Sequence, residues 1–330
     1  MTLLSALAGD PEIEALLSDA AQLDAMLAFE RALADASADT GWISEEAAAA
    51  IGQVIDGFEP DWPGLEAGMV RDGVVVPALV KQLKAQLPEP HRAALHKGAT
   101  SQDVTDTALM LQLARIFDIY EAHLAELIDQ LEALTKEHGA RALMAHTRMQ
   151  VALPTTWDAK LASWSEPLKR QLQAIASLRR TLLVIQLGGP VGDRASFGEQ
   201  GNAIAANMAK RLDLGLATPW QATRDPIVAL GSLLTQITGA LGKFGVDVTL
   251  LAQNEVAAIQ LEGGGGSSAM AHKSNPVNAE VEQLRKEQER LLMENELLEL
   301  RLNLQELISG EDPSAPLRKS KGTRSSKKKS

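Results

Sequence analysis

No cysteine occurs among the 330 residues, which removes disulfide frameworks, thiolate zinc sites and cysteine nucleophiles together. Any metal would have to be held by histidines and carboxylates. Aromatic residues make up 3% of the chain, too few for a β-sandwich built from aromatic and β-branched strands. Positive charge is in deficit. The 32 Lys and Arg against 43 Asp and Glu leave a net charge of −11, which argues against nucleic acid as the main partner. The exception is the stretch from Leu317, LRKSKGTRSSKKKS, readable as an electrostatic appendage or as a solvated, disordered end. No uninterrupted apolar run approaches the roughly 20 residues that span a bilayer. The opening MTLLSALAGDPEIEALL has no basic start and is broken by Asp10 and Pro11, so no secretory signal is expected. These absences predict a soluble cytoplasmic protein with no membrane partner.

What is present is alanine, leucine and helical periodicity. The chain is 45% hydrophobic, enough for a sizeable core and, on length, about two domains. Between Asp103 and His138 apolar residues recur at Leu109, Leu113, Ile116, Phe117, Tyr120, Leu124, Ile128 and Leu131, the spacing of one helical face, with Gly139 as a stop. A second long helix is predicted after Pro154, capped by Thr155 or Thr156, and a third from Pro226 to about Leu261. Before Pro88 the pattern gives shorter helices at Ile13–Ser37, Glu45–Ile55 and Val75–Leu87, joined by segments such as GFEPDWPG. No βαβ pattern appears. The predicted fold is all-α: a helical N-terminal domain over 1–100, a long-helix bundle over 101–280, a Leu/Glu-rich helix of near coiled-coil spacing over 281–308 and a basic disordered tail over 309–330.

Three segments carry candidate chemistry. HKGATSQDVTDTA, from His96 to Ala108, sets Thr100 and Ser101 just ahead of a long helix, where a hydroxyl caps and adjacent N–H groups face an anion. The same residues also serve a plain cap with a packed His96. MAHTRMQVALPTTW, from Met144 to Trp157, puts His146, Arg148 and Gln150 on alternating positions, so that a proton carrier, a carboxylate fork and an amide share one cleft; a polar strand edge is the alternative. GGGGSSAMAHKSNP, from Gly263 to Pro276, crowds Ser267, Ser268, Met270, His272, Lys273 and Asn275 into a glycine-rich loop. Such a loop can close and exclude water around a serine; the other reading is a Gly-Ser linker. Neither nucleotide-binding glycine pattern is met, and the histidines show no metal-ligand spacing.

In this order the segments resemble the three signature regions of the aspartase/fumarase superfamily. The third is the most specific: the pattern G-S-S-x-M-P-x-K-x-N-P is met from Gly266 to Pro276, with Ala271 in place of proline. AHTRMQVALPTTW, AHKSNPVNAE and PWQATRD at Pro219–Asp225 are similar to the bacterial 3-carboxy-cis,cis-muconate cycloisomerase branch. The resemblance runs from about Leu4 to Val281. Where most lyases of the superfamily carry a catalytic histidine, six residues before the second-signature proline, this chain has Arg148.

The resemblance implies a cofactor-free, metal-free intramolecular addition of a carboxylate to an alkene, acting on a small tricarboxylate. Ser267 then takes the base position, Lys273 and Asn275 bind the carboxylate whose charge grows, and Thr100, Ser101, Arg148, Gln150, Arg224, Ser268 and Met270 hold the rest of the substrate. His96 and His146 are the candidate proton donors. A homotetramer with sites assembled from several subunits is also implied. Two other readings stand beside it: an adenylosuccinate- or argininosuccinate-type lyase releasing fumarate, and a non-catalytic relative binding partners through Val281–Ile308. The sequence from Val281 onward departs from the family pattern, which implies a divergent or replaced end.

Overall fold

The computed structural model describes residues 9–261, 265–266, 269–270 and 274–275. The expected helix over 281–308 and basic tail over 309–330 lie outside the described residues. The described chain is helical with one substantial β-hairpin. Its elements are α1 (Pro11–Leu16), α2 (Asp19–Asp39), α3 (Glu45–Asp56), α4 (Trp62–Asp72), α5 (Val76–Gln86), α6 (Ser101–His138), β1 (Ala142–Thr147), β2 (Gln150–Thr156), α7 (Trp157–Leu182), α8 (Gly201–Arg211), α9 (Asp225–Leu251), β3 (Gly265–Gly266) and β4 (Ser274–Asn275).

Local chemistry explains the starts. Asp10, Ser18, Ser44, Asp61 and Thr156 each cap a helix by accepting from a backbone N–H two or three residues on. Ser18 splits the single helix expected over Ile13–Ser37 into α1 and α2. Helix α4 was not expected, because GFEPDWPG reads as a joint. Pro63 instead falls in the first turn, where its missing N–H costs nothing, behind the Asp61 cap. Gly68 lets α4 sit against α5: a Cβ there would lie 2.3 Å from the Ala78 Cβ.

Helix α6 organises the rest. Its 38 residues make a rod about 57 Å long, and α2 and α7 lie along it. Val104, Met110, Phe117, Leu124 and Leu131 on α6 are buried with Phe29 and Leu33 of α2 and Leu168 and Ile175 of α7 in one continuous core. The helix continues to His138 with Gly139 as C-cap. There Trp157 and Asp158 donate their N–H groups to the carbonyls of Arg141 and Gly139, seating the start of α7 against the end of α6.

Helix α9 ends at Leu251, ten residues short of the expected boundary. It packs on α7 through Trp164 and Phe244, ring centroids 4.8 Å apart. By length and composition it is apolar enough to cross a membrane, and little of it is buried within the chain. It is not an uninterrupted run: Ser, Thr, Gln and Gly break it, and Lys243 and Asp247 place charge near its end. Thr235, Thr238 and Thr249 turn their hydroxyls back onto the carbonyls of Gly231, Leu234 and Gly245, satisfying them within the helix. Val228 and Val246 stand exposed along it.

Candidate active site

The first signature is tied into the fold by a buried hydrogen-bond network. Asp103, fully buried, accepts from the Thr100 N–H at 3.1 Å, the Gly188 and Gly189 N–H groups at 2.8 and 2.9 Å and the Gln186 side chain at 2.8 Å. Gln186 is itself buried and accepts from the Trp220 N–H at 2.7 Å. Thr107 exchanges hydrogen bonds with the Gln186 backbone in both directions. Two distant stretches of chain, around Gln186–Gly189 and Trp220, are thereby tied to the first turns of α6. Glycine is required where they meet. Gly98 has φ +86 and a Cβ there would lie 2.8 Å from the Phe197 ring, while one at Gly189 (φ +70) would lie 2.3 Å from Ser196 Oγ.

This construction corrects two expectations. The anion received by the N–H groups at this end of α6 includes the chain's own Asp103 carboxylate, so the Thr100 N–H is already taken. Arg224, expected to hold a substrate carboxylate, places its fork on Asp106 instead, at 2.7 and 3.0 Å, with its guanidinium 5.1 Å over the Trp220 ring. Asp106 is buried, and an unpaired carboxylate there would be strongly unfavourable. The fork is spent on folding. Thr100 and Ser101 are half-buried at the helix start, and Ser101 Oγ has no hydrogen-bond partner among the described residues. His96, with φ 59, sets its Nδ1 2.6 Å from Glu30 Oε1. Lys97 is held by the Trp42 carbonyl at 2.9 Å and lies 4.1 Å over the Trp42 ring.

The second signature is the β1–β2 hairpin, and its geometry overturns the alternation expected for His146, Arg148 and Gln150. Thr147 pairs with Gln150 and His146 with Val151. Directly paired residues share a face and neighbours along a strand do not, so His146 and Gln150 lie on opposite faces. The chain reverses between them. Arg148 and Met149 form the turn with φ 47 and 62, the positive values of a type I′ turn that normally calls for Asn-Gly. All three predicted residues are exposed. Met149, Val151 and Leu153 are 75%, 67% and 76% exposed, an apolar edge with nothing on it.

Beneath the hairpin lies a cavity of about 460 Å³ lined by Met144, His146, Arg148, Lys160, Asp247 and Leu251, among others. Asp247 Oδ2 accepts from Trp164 Nε1 at 2.7 Å, Lys160 at 3.0 Å and Lys243 at 2.5 Å. Burial alone would raise its pKa, but the hydrogen bonds from Lys243, Trp164 and Lys160 outweigh it and hold the carboxyl below the ordinary 3.8. Sequence reasoning missed this cluster, whose members come from two helices with no shared motif.

At the third signature, Gly265 pairs with Asn275 and Gly266 with Ser274, which brings the two flanks of residues 267–273 together. Ser267, Ser268, His272 and Lys273 fall outside the described residues, as does the Asn275 side chain. Met270 is described and exposed. Among the described residues no group of His and carboxylate side chains suits a metal ion.

Among the described residues, the first and second signatures do not meet within one chain. Thr100 and Ser101 stand at the start of α6 and the hairpin follows its end, so the two are roughly 50 Å apart along the rod. Residues 11–288 match the lyase family. The chain is 39% identical over 276 residues to a 3-carboxy-cis,cis-muconate cycloisomerase of Pseudomonas aeruginosa, covering 82% of this chain and 60% of that protein. Among solved structures it resembles the 3-carboxy-cis,cis-muconate lactonizing enzyme from Pseudomonas putida, with TM-score 0.78, 37% identity and coverage of 85% and 63% of the two chains. It also resembles the β-carboxy-cis,cis-muconate cycloisomerase from Acinetobacter calcoaceticus sp. ADP1, with TM-score 0.80, 32% identity and coverage of 89% and 67%. The chain thus spans about 60% of the length of the curated relative.

Proposed function

The chain belongs to the lyase family matched over residues 11–288, and from that premise we propose that it interconverts 3-carboxy-cis,cis-muconate and a carboxymuconolactone in the cytoplasm, without a cofactor. The observation that carries this reading is the 39% identity over most of the chain to a cycloisomerase, joined to Arg148 at the position where fumarate-releasing lyases of the superfamily hold a histidine.

The chemistry asks for modest machinery. In the ring-opening direction Ser267 removes a proton α to a carboxylate, the lactone C–O bond breaks, and its electron pair leaves as a new carboxylate. Lys273 and Asn275 offset the charge that grows on the α-carboxylate. Arg148, exposed at the hairpin tip, supplies a fork for a second carboxylate, with Gln150, Thr100 and Ser101 as further donors. Arg224 is left to Asp106.

The site is proposed to form between subunits of a homotetramer. Two features support this: the first two signatures stand at opposite ends of α6, and α9 is a long apolar helix of which little is buried within the chain, an exposure that is unfavourable in water. Ultraviolet assay of 3-carboxymuconate tests the activity. Ser267→Ala should abolish lactone formation while light scattering shows an unchanged oligomer. Near-normal turnover in that variant sinks the serine's role, and fumarate release from a succinyl adduct, without muconate turnover, sinks the cycloisomerase reading.

A further inference from the structure

Glu30 lies on the apolar stripe of α2, four residues from Met26 and three from Leu33. Its side chain is 0% exposed. One carboxyl oxygen faces His96 Nδ1 at 2.6 Å; the other, Oε2, is buried with no hydrogen-bond partner among the described residues. A buried carboxylate half satisfied is costly, as is a left-handed backbone at a residue with a Cβ, which His96 adopts at φ 59. The buried neighbours of Glu30 one turn away, Met26, Leu27, Leu33 and Ala34, are all apolar, and a hydrocarbon side chain would join them more cheaply. Two unfavourable features kept in one contact, beside the first signature, point to a task other than stability.

The task follows from donors and acceptors. An ionised carboxylate only accepts, so the ring nitrogen facing Glu30 carries hydrogen whether His96 is neutral or charged. The proton that comes and goes is then on Nε2, for which no hydrogen bond is found among the described residues. His146 lacks this arrangement: it is exposed and its Nδ1 lies 3.2 Å from the Met144 carbonyl of its own strand. We propose that Glu30 is a positioning residue that holds His96 in the Nδ1–H form, so that Nε2 restores the proton that Ser267 gives to carbon in ring closure. This rests on the cycloisomerase reading. On closure a carboxylate oxygen bonds to one alkene carbon, the π pair takes up at the adjacent carbon the proton that Ser267 removes on opening, and a tricarboxylate becomes a lactone dicarboxylate. The His96 imidazolium makes good the proton lost by the serine and stays hydrogen-bonded to Glu30; ring opening returns it.

Glu30→Gln keeps the size of the side chain and removes its charge. We expect kcat to fall about tenfold to a hundredfold with KM little changed, as for other partners that orient a histidine. Glu30→Asp should recover part of the loss. Glu30→Gln added to His96→Ala should cost nothing more, because the carboxylate acts only through that ring; an equal further loss overturns the proposal. Nitrogen-15 spectra of the imidazole at one neutral pH give a readout that needs no turnover. Wild-type His96 should show protonated Nδ1, and Glu30→Gln should populate the Nε2–H tautomer. A wild-type ring protonated at Nε2 alone overturns the proposal even if Glu30→Gln fails to fold. Absence of muconate turnover in the wild type removes the reaction but leaves the tautomer result to decide the Glu30–His96 relation.

Discussion

The two ends of α6 solve opposite problems. At its start, Asp103, Gln186 and Thr107 spend their hydrogen-bonding capacity on the chain itself, under cover, and glycines admit backbone where no side chain fits. Past its end, the hairpin holds Arg148 and Met149 in left-handed backbone, exposes an apolar edge and overlies an open cavity. One end is complete within the chain; the other has unmet surface. The site proposed above draws on both and so takes them from different copies.

The sharpest way to break this comparison is complementation. Arg148→Ala and the double variant Thr100→Ala/Ser101→Ala should each lose about a hundredfold or more in turnover at low substrate, roughly 2.7 kcal/mol, and refolding them together should restore a fraction of wild-type turnover, because mixed oligomers contain intact sites. No recovery, with mixed oligomers verified by mass spectrometry, would place both signatures in a single-chain site. Next comes Asp103→Ala, which strands N–H donors from two segments, Thr100 and Gln186–Gly189, and should cost more than about 4 kcal/mol in urea unfolding. A loss below about 1 kcal/mol would mean that the network is not what joins those segments.

At the hairpin the signs divide. Arg148→Gly should lower kcat/KM about a hundredfold, roughly 2.7 kcal/mol of binding. Met149→Gly should leave activity near normal while raising stability by about 1 kcal/mol, since glycine relieves the left-handed strain. Thermal melts together with kinetics check both. A destabilised Met149→Gly would show that the side chain packs on something and that the turn is not strained.

The smallest effect belongs to Asp247. Its pKa is depressed in the folded state, so its contribution to stability is present above the ordinary carboxyl value of 3.8 and is lost as pH falls below that through the folded value. Replacing it with Asn should therefore lower stability at pH 7 and flatten the decline at the acid end. Urea midpoints measured from pH 7 down to pH 2.5 give the comparison.

Periodicity and punctuation were enough for the long helices. Leu113, Phe117, Leu124 and Leu131 mark the α6 face, Gly139 its end, and Thr156 the α7 cap, because these are local preferences read within a few residues. Helices α4 and α8 were not legible: Pro63 and Gly64 signal a turn as well as a first helical turn, and α8 begins on Gly201 with no side-chain cap. At the site, Ser267, Lys273 and Asn275 were legible as a motif because a loop keeps its residue order. Glu30 left one faint mark, a charge on an apolar stripe.

By itself, then, the sequence determined a helical lyase-family chain and the residue types its chemistry draws on, since those reside in spacing and in an ordered loop. Only the tertiary structure decided that Arg224 serves Asp106, that His146 and Gln150 face apart, that Glu30 meets His96, and that the first two signatures stand a helix length from each other. Each of these depends on which distant segments touch and on where the chain reverses. Such contacts are set by packing along α6 rather than by neighbours in sequence.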